Sequence, residues 1–222
     1  MVKQVWHRNV LQLHSYFNVY IIEREEGLIL VDTGIEGEEG PVLQTIETLK
    51  KPLLFIALTH AHYDHVGGTK AILNRYPAAR VCMGKREIEA ANREKKYLKE
   101  DGSPYDIFVS PLDFDVDIPV EGGDEMEGLL AIDAPGHTPG SVCYFDKSSG
   151  TLFAGDLFVS VGKLKVAGQA NPVFPLPTKG TWNKDVAMES CRALLNDPIA
   201  CLACGHGRLV FDPLESMRTL VE

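Results

Sequence analysis

The sequence predicts a single α/β domain in which short strands and helices alternate along the chain. Apolar runs of strand length are separated by stretches whose apolar residues recur at helical spacing. The 222 residues are enough for one large domain, and 45% of them are hydrophobic, an ordinary share for a globular protein. No shift in composition and no low-complexity linker divides residues 1–222, so we expect one domain.

The first third of the chain predicts a hairpin, a helix and a buried strand. Residues 19–22 and 28–31 are apolar runs on either side of a charged, glycine-containing segment, which is typical of a β-hairpin. Apolar residues at helical spacing predict an amphipathic helix over residues 40–50. The near-continuous apolar run 53–58 predicts a strand that is buried on both faces.

The rest of the chain continues the alternation, with two long irregular segments. Helix formers and few breakers predict helices over 68–75, 85–99 and 184–195. Strands are predicted over 80–83, 116–118, 129–133, 141–145, 151–154 and 199–203, the last of which we expect to close the chain. Residues 101–111 are rich in turn formers, and 162–182 predicts a long loop. Long loops in compact domains often cover a site.

Net charge disfavours a nucleic-acid partner. The chain carries a formal charge of −9, which opposes the approach of a polyanion. Its most basic stretch, 93–99, is interleaved with glutamates and predicts a solvated helix face rather than a binding patch.

The N-terminus and the cysteines predict a cytoplasmic protein. The first residues lack the apolar core of a signal peptide, and no apolar run approaches the ~20 residues that cross a bilayer. The five cysteines are an odd number without paired spacing, as expected of reduced thiols. Cys201 and Cys204 lie in a predicted strand, where residues three apart face opposite sides, so we interpret both as buried structural cysteines.

Histidines and aspartates cluster directly after the predicted strands. Five of the seven histidines follow strands 53–58, 129–133 and 199–203, and an aspartate follows strand 151–154. Loops at strand ends are where a rigid sheet gathers functional groups. The candidate residues are His60, His62, Asp64, His65, His137, Asp156 and His206.

These residue types predict a site for two divalent metal ions. Imidazole and carboxylate are the usual ligands in hydrolytic metal sites. His60 and His62 are two apart in extended chain and therefore point to the same side, while Asp64 and His65 can serve a second ion. Seven ligands are too many for one tetrahedral ion, but they suit two ions that share a carboxylate and a bridging water.

Several candidate residues also have a simpler interpretation in which they bind no metal. A lone His137 or His206 is more often a hydrogen-bonded loop histidine than a ligand. Asp32 is either a turn residue or an acceptor that orients a ligand histidine. The segment 60–65 is different, because three imidazoles and a carboxylate in six residues are costly to bury without a metal. No nucleophile elbow or phosphate-binding loop motif occurs in the sequence.

The motifs resemble those of the metallo-β-lactamase-fold superfamily, in the same order and over most of the chain. The matching segments are Leu30-Val31-Asp32-Thr33-Gly34, residues 59–68, residues 135–141, Gly155-Asp156 and Gly205-His206-Gly207. The resemblance implies a four-layer αββα sandwich with the metals at one edge, between two sheets. It implies His60, His62 and His137 on the first ion, and Asp64, His65 and His206 on the second. Asp156 would bridge the two ions, and Asp32 and Thr59 would support the ligands.

Within that superfamily the ligand set resembles the branch typified by glyoxalase II. The best-known zinc β-lactamases carry a cysteine where this chain has Asp156, and a typical glyoxalase II has a basic and aromatic segment where this chain has residues 157–162. The resemblance thus implies a hydrolase with two Zn²⁺, Fe or Mn being alternatives, acting on a small molecule. Hydroxide between the ions would attack an ester, thioester or lactone bond, and Asp64 would accept a proton.

Three alternatives stay open at this point. One is a mononuclear iron persulfide dioxygenase of the same fold, and another is a β-lactamase or phosphodiesterase. The third is a binding protein on an inherited fold. Loops 84–115 and 162–182 are expected to shape the pocket, and their aromatic residues are either its walls or local core: Tyr97, Tyr105, Phe108, Phe174 and Trp182.

Overall fold

Two large β-sheets pack face to face, with helices on both outer faces. The computed structural model describes residues 2–105, 108–109 and 111–222. The first sheet has seven strands in chain order, antiparallel from β1 to β4 and parallel from β4 to β7. They are β1 (Lys3–His7), β2 (Val10–His14), β3 (Asn18–Glu23), β4 (Leu28–Val31), β5 (Leu53–Leu58), β6 (Arg80–Gly84) and β7 (Ile118–Val120).

The second sheet has six strands, ordered β15-β14-β11-β10-β9-β8. Only β11 and β14 run parallel in it. The later strands are β8 (Glu125–Met126), β9 (Leu129–Asp133), β10 (Val142–Asp146), β11 (Thr151–Gly155), β12 (Phe158–Val159), β13 (Lys165–Val166), β14 (Cys201–Cys204) and β15 (Val210–Phe211). Strands β12 and β13 form a separate antiparallel ribbon.

Helices cover the two outer faces. Buried residues of α1, α3 and α4 pack against the first sheet, and those of α6 and α7 pack against the second. The helices are α1 (Gly40–Leu49), α2 (Tyr63–Val66), α3 (Thr69–Arg75), α4 (Lys85–Ala91), α5 (Leu176–Gly180), α6 (Lys184–Ala193) and α7 (Leu214–Val221). The order of layers is therefore the αββα sandwich that the motifs implied. No helix of the described residues is long and apolar enough to cross a membrane.

Strand alternation divides the apolar side chains among three cores. In β3 and β4, Tyr20 and Ile29 point between the sheets, whereas Ile21 and Leu30 point at the helices. Both faces of these strands are therefore buried, which explains their continuous apolar runs. The same rule places Cys201 between the sheets and Cys204 under the outer helices, as the spacing predicted. All five cysteines are free and buried.

The sequence predicted most elements correctly, and it was wrong about four segments. The helix predicted over 85–99 ends at Ala91, because Arg93 adopts a left-handed φ of 57° and the side chains beyond it are largely exposed. The basic stretch 93–99 is thus not a helix face. The segment 162–182, predicted as a loop, contains β13 and α5. The strand predicted over 199–203 is not the last element, because β15 and α7 follow β14. Strands β1 and β2 were not predicted at all.

The bounds of one further strand differ from the prediction, and one further predicted segment is described only in part. The strand predicted over 116–118 lies at Ile118–Val120. Within the turn-rich stretch 101–111, residues 101–105, 108–109 and 111 contain turns, bends and isolated bridges. Residues 106, 107 and 110 lie outside the described part of the chain, so the prediction is untested there.

The carboxyl ends of four strands meet at one edge of the sandwich. Asp32 follows β4 and Thr59 follows β5 in the first sheet, and Asp156 and Gly205 follow β11 and β14 in the second. The backbone NH of Val142 donates to the Thr59 carbonyl (3.0 Å), which ties the two sheets together at this edge. Residues at these strand ends therefore face one another across the sandwich.

A buried ion pair fastens the opposite edge. Arg24, between β3 and β4, donates from Nη2 to Asp146 Oδ1 at the end of β10 (2.8 Å). The Asp146 side chain is fully shielded and also accepts hydrogen bonds from Ser148 and Ser149. Burial raises the pKa of Asp146, but the hydrogen bonds from these partners outweigh it, so the pKa lies below its ordinary value.

We expect Asp146→Asn to lower the free energy of unfolding at neutral pH by about 2 kcal/mol, because hydrogen bonds to a charged group are lost in a shielded place. A lowered folded-state pKa stabilises only above the unfolded carboxyl pKa of about 4. The difference between variant and wild type should therefore shrink as the pH falls below that value. Urea denaturation at neutral and acidic pH measures both effects.

Asp113→Asn is the matched control, because its ion pair with Lys70 is exposed on both sides. It should leave the denaturation midpoint nearly unchanged. An equal effect of the two variants would show that the Asp146 pair does not fasten the sheets.

Candidate metal centre

The structure brings all seven candidate ligands together at the edge where the strands end. Their nitrogen and oxygen atoms form three groups, and within each group the atoms lie within 4.8 Å of one another. The first group contains three imidazoles, and each of the other two combines imidazoles with a carboxylate. The groups are His60, His62 and His137; His60, His65 and Asp156; and Asp64, His65 and His206.

Asp156 lies between the two ends of this cluster. Its Oδ2 is 3.5 Å from His137 Nε2 and 3.3 Å from His206 Nε2, and its Oδ1 is 3.5 Å from His65 Nε2. At one end, His62 Nδ1 and His137 Nε2 are 3.0 Å apart. At the other end, His206 Nε2 is 3.2 Å from Asp64 Oδ2. One carboxylate is thus within reach of both ends.

Hydrogen bonds on the far side of each ring determine which nitrogen faces the cluster. The Thr59 hydroxyl donates to Asp32 Oδ2 (2.8 Å), so it can only accept from His60 Nδ1 (3.0 Å). His60 Nε2 therefore carries a lone pair and points inward. Asp32 Oδ2 also accepts from His65 Nδ1 (2.7 Å), which leaves the His65 Nε2 lone pair on the inside as well.

The other three rings follow the same rule. His206 Nδ1 donates to the Tyr16 carbonyl (2.7 Å). His137 Nδ1 lies 3.3 Å from the Thr181 hydroxyl, which itself donates to a carbonyl and so accepts from the ring. His62 Nε2 lies 2.8 Å from the Tyr105 hydroxyl. All five rings thus have an outward partner, so each inner nitrogen offers a lone pair when its ring is neutral.

Three inner atoms are buried without any hydrogen-bond partner in the described part of the chain: His60 Nε2, His65 Nε2 and Asp156 Oδ1. Leaving a buried polar atom unpaired is costly, so such atoms require an explanation. Two imidazole nitrogens and a carboxylate oxygen match the donors that zinc and related divalent ions prefer. The residues present therefore fit one or more metal ions.

Electrostatics differ between the two ends of the cluster. Burial lowers the pKa of His60 and His62 well below the ordinary value and that of His137 to about 4, so this end is neutral at pH 7. At the other end, burial also lowers the pKa of His65 and His206, but nearby carboxylates raise both by more. Asp32, Asp156 and Asp64 hold the pKa of His65 well above its ordinary value, and Asp156 and Asp64 raise that of His206 to about 10. A metal ion at this second end would have to displace protons.

The backbone next to the cluster has no room for side chains. A Cβ on Gly205 would collide with the Asp156 carboxylate and the His65 ring.

Asp32 adopts a left-handed φ of 57°, which Asp tolerates better than most residues, and this turns its carboxylate towards Thr59 and His65. Of the two interpretations of Asp32 from sequence, the structure shows the acceptor that orients a histidine.

Both predicted loops line the pocket above the cluster, but not all of their aromatic residues do. Phe108 comes from the first loop, and Phe174 and Pro177 come from the second. Tyr105 lies deeper and contacts His62. For two of the aromatic residues the structure shows the alternative of local packing, because their rings lie 5.8 Å apart and outside this pocket: Tyr97 and Trp182.

Glu87 was missed from sequence, where it looks like an ordinary charge on α4. It is fully buried and joins the two histidine loops. Its Oε1 accepts from Ala61 N (2.8 Å), and its Oε2 accepts from the Thr138 hydroxyl (2.7 Å) and Gly140 N (3.0 Å). Burial raises the pKa of Glu87 more than these donors lower it. A possible signal was its position four residues before Ala91, which places it on the inner face of the helix.

A second missed group holds the His206 loop. Asn18 Nδ2 donates to the carbonyls of Cys204 (2.8 Å) and Gly207 (2.7 Å), and the Tyr20 hydroxyl donates to Cys204 O (2.6 Å). These side chains come from β3, in the opposite sheet. Nothing in the local sequence pattern distinguishes them from other buried strand residues.

We expect Glu87→Ala to lower the free energy of unfolding by roughly 3 kcal/mol, since three buried donors lose their acceptor. It should also speed amide hydrogen exchange in residues 60–65 and 137–140, the two loops that Glu87 joins. Urea denaturation and hydrogen-exchange mass spectrometry measure these effects.

Glu89→Ala is the control on the same helix, because the Glu89 side chain is partly exposed and makes no hydrogen bond among the described residues. If Glu87→Ala destabilises the protein without changing exchange in either loop, Glu87 contributes to the core but does not hold the site.

Comparison with known proteins supports the same family as the motifs. The model of the "Metallo-beta-lactamase superfamily" matches residues 17–206. The protein YobT of Bacillus subtilis strain 168 is 34% identical over 98% of this chain and 94% of its own length. An N-acyl homoserine lactonase of a Bacillus species is 30% identical over 54% of each chain. A hydroxyacylglutathione hydrolase of Aeromonas hydrophila is 30% identical over 65% of this chain and 47% of its own length.

This chain thus spans about half the length of the lactonase and of the hydroxyacylglutathione hydrolase. Among solved structures, TTHA1623 in a di-iron-bound form has a TM-score of 0.67 and 26% identity, covering 92% of this chain and 95% of that one. The DIM-1 metallo-beta-lactamase shares the fold, with a TM-score of 0.72 at 17% identity over 99% of this chain and 96% of that one. Family model, full-length relative and fold agree, and the chain belongs to the metallo-beta-lactamase superfamily.

Proposed function

We propose that this chain is a hydrolase that holds two metal ions, zinc by preference, and cleaves an ester, thioester or lactone bond in a small molecule. The observation that carries the proposal is the arrangement of the five imidazoles. Each has an outward hydrogen-bond partner, and the five inner nitrogens meet around Asp64 and Asp156. Three of the inner atoms are buried without a hydrogen-bond partner among the described residues, and a bound metal would supply that partner: His60 Nε2, His65 Nε2 and Asp156 Oδ1.

The residues divide between two ions by their distances. The three imidazoles of His60, His62 and His137 would hold one ion, because burial keeps them neutral. Asp64, His65 and His206 would hold the other. Asp156 would join both, since its two oxygens reach histidines of either set.

Held by these residues, two ions would supply a water with a pKa lowered towards about 7 and would polarise the substrate carbonyl. The chain's own contribution is the exclusion of solvent and the placement of Asp64. The Asp64 side chain is 21% exposed and is the most accessible carboxylate of the cluster. Burial raises the pKa of Asp64, but His65 and His206 lower it by more than burial raises it. The resulting pKa is about 2, so Asp64 is ionised at neutral pH. Because Asp64 lines the pocket and is the most accessible carboxylate of the cluster, it is the group we propose to accept a proton during attack.

The relatives support hydrolysis without naming the substrate of this chain. Two of them are named as a lactonase and as a hydroxyacylglutathione hydrolase, and both cover only part of this chain. TTHA1623, a protein of similar fold, is known in a di-iron-bound form. Zinc is our preference here because imidazole and carboxylate are its usual ligands in hydrolytic sites. The same donors also suit iron and manganese, which are the alternatives.

The experiment that tests the proposal couples elemental analysis of the purified protein to a substrate screen. We expect two metal ions per chain and turnover of a thioester, an ester or a lactone, with β-lactams and phosphodiesters as the comparison classes. One iron and no zinc per chain would favour an iron dioxygenase. Full metal loading with no turnover in any class would favour a binding protein.

We expect Asp156→Ala to lose metal and activity together, because the carboxylate that reaches both sets of histidines is removed. Activity should fall by at least about a hundredfold, in line with the loss of other groups that stabilise charge in a transition state. Elemental analysis and kcat/KM measure the two effects on the same preparation. Asp113→Ala, at an exposed ion pair, is the control. Full activity in Asp156→Ala would show that the residue does not bridge the ions.

A further inference from the structure

The mouth of the pocket is apolar although the pocket floor is charged. Three of the large hydrophobic residues that are exposed on this protein line the pocket: Tyr63 (45% exposed), Phe108 (42%) and Leu176 (52%). Val173 (72%) is next to the lining residue Phe174, and the exposed Tyr16 accepts the His206 hydrogen bond through its carbonyl. A concentration of exposed apolar side chains around a cleft is typical of a binding surface.

These side chains form two walls. On one side the rings of Tyr63 and Phe108 are 6.5 Å apart, and Phe108 is 6.1 Å from the His62 ring. On the other side the Phe174 ring is 4.8 Å from the His206 ring, beside Leu176. The walls thus begin at the candidate metal ligands and continue outward to solvent.

Among the described residues that line this pocket there is no lysine or arginine. The charged groups there are the carboxylates and imidazoles of the metal cluster itself. An anionic group on a substrate tail would therefore meet apolar walls without a cationic partner, which is costly. The net charge of −9 also opposes an anionic substrate.

The pocket itself is small. Its volume of about 70 Å³ is enough for a few water molecules and hence for the reacting group. A longer substrate has to extend along the rim, where Phe108 and Leu176 are half-exposed. The contacts available to it there are apolar.

We infer that the substrate of this site carries an uncharged, apolar acyl group, which lies between the Phe108 wall and the Leu176 wall while its carbonyl is at the metal cluster. The inference rests on the proposed function and specifies its substrate class. It excludes substrates whose acyl group carries a negative charge. The reaction is hydrolysis, so the acyl bond to oxygen or sulfur breaks and water supplies the new hydroxyl and the proton.

The first test compares thioesters of the uncharged thiol N-acetylcysteamine on the metal-loaded protein. The acyl groups are acetyl, hexanoyl and adipoyl, and adipoyl has the length of hexanoyl but ends in a carboxylate. Each fully buried methylene contributes about fourfold. We therefore expect kcat/KM to rise by at least about tenfold from acetyl to hexanoyl and to fall back for adipoyl. Equal values for hexanoyl and adipoyl would overturn the inference.

The second test removes one wall. Leu176→Gln should reduce kcat/KM for the hexanoyl thioester several-fold more than kcat/KM for the acetyl thioester, because acetyl does not reach the rim. Phe211→Gln is the matched control, since Phe211 is 55% exposed but lies on β15 and not at this pocket. Phe108→Ser repeats the test on the other wall. Thermal unfolding of each variant identifies any that fail to fold.

A binding measurement separates failure of the inference from failure of the proposed function. Hydroxamates of the same three acyl groups are titrated into the metal-loaded protein by calorimetry, and the hexanoyl compound should have the lowest Kd. If it does while no acyl substrate turns over, the apolar site stands and hydrolysis is wrong. If thioesters turn over but neither rates nor Kd values depend on the tail, hydrolysis stands and the apolar acyl class is wrong.

Discussion

The carboxylate of Asp32 is the contact on which the rest of the site depends. It follows β4, yet it accepts hydrogen bonds from Thr59 after β5 and from His65 on α2. Through the Thr59 hydroxyl it also determines which nitrogen of His60 is free. A single buried anion thus sets the proton positions on two histidines, although it touches the inner side of neither ring.

The sandwich supplies the setting that makes such contacts useful. Four strand ends from two sheets meet at one edge, so the ligands arrive from segments far apart in the chain. The ligand-bearing segments are then tied to two other elements. Glu87 on α4 holds the loops of His60 and His137, and Asn18 on β3 holds the loop of His206. These side chains pair backbone groups of irregular loops, and this helps to keep the ligands in place.

What could be predicted from sequence follows a physical division. Elements with a clear apolar pattern were predicted closely, because burial in the core requires apolar residues at consecutive or regularly spaced positions. Examples are α1, with its helical spacing, and β5, with its continuous apolar run. The seven candidate ligands were also predictable, since their residue types occur together at strand ends. By contrast, β1 is largely exposed and has little apolar pattern to read. The roles of Asn18 and Tyr20 could not be predicted, because their partners are distant in sequence, and the helical position of Glu87 indicated its burial but not its partners. The end of α4 at Ala91 depends on a left-handed residue at Arg93 that no local preference indicates.

Tyr20 connects the core to the site in a way that affects how variants of this protein should be understood. Its ring is fully buried between the sheets, edge-on to Phe153, and its hydroxyl holds the carbonyl of Cys204 two residues before His206. The packing between the sheets and the position of the His206 loop thus depend on the same side chain. A substitution that shifts the Tyr20 ring therefore also shifts the hydroxyl that holds the His206 loop, so we expect it to affect the position of this ligand as well as stability.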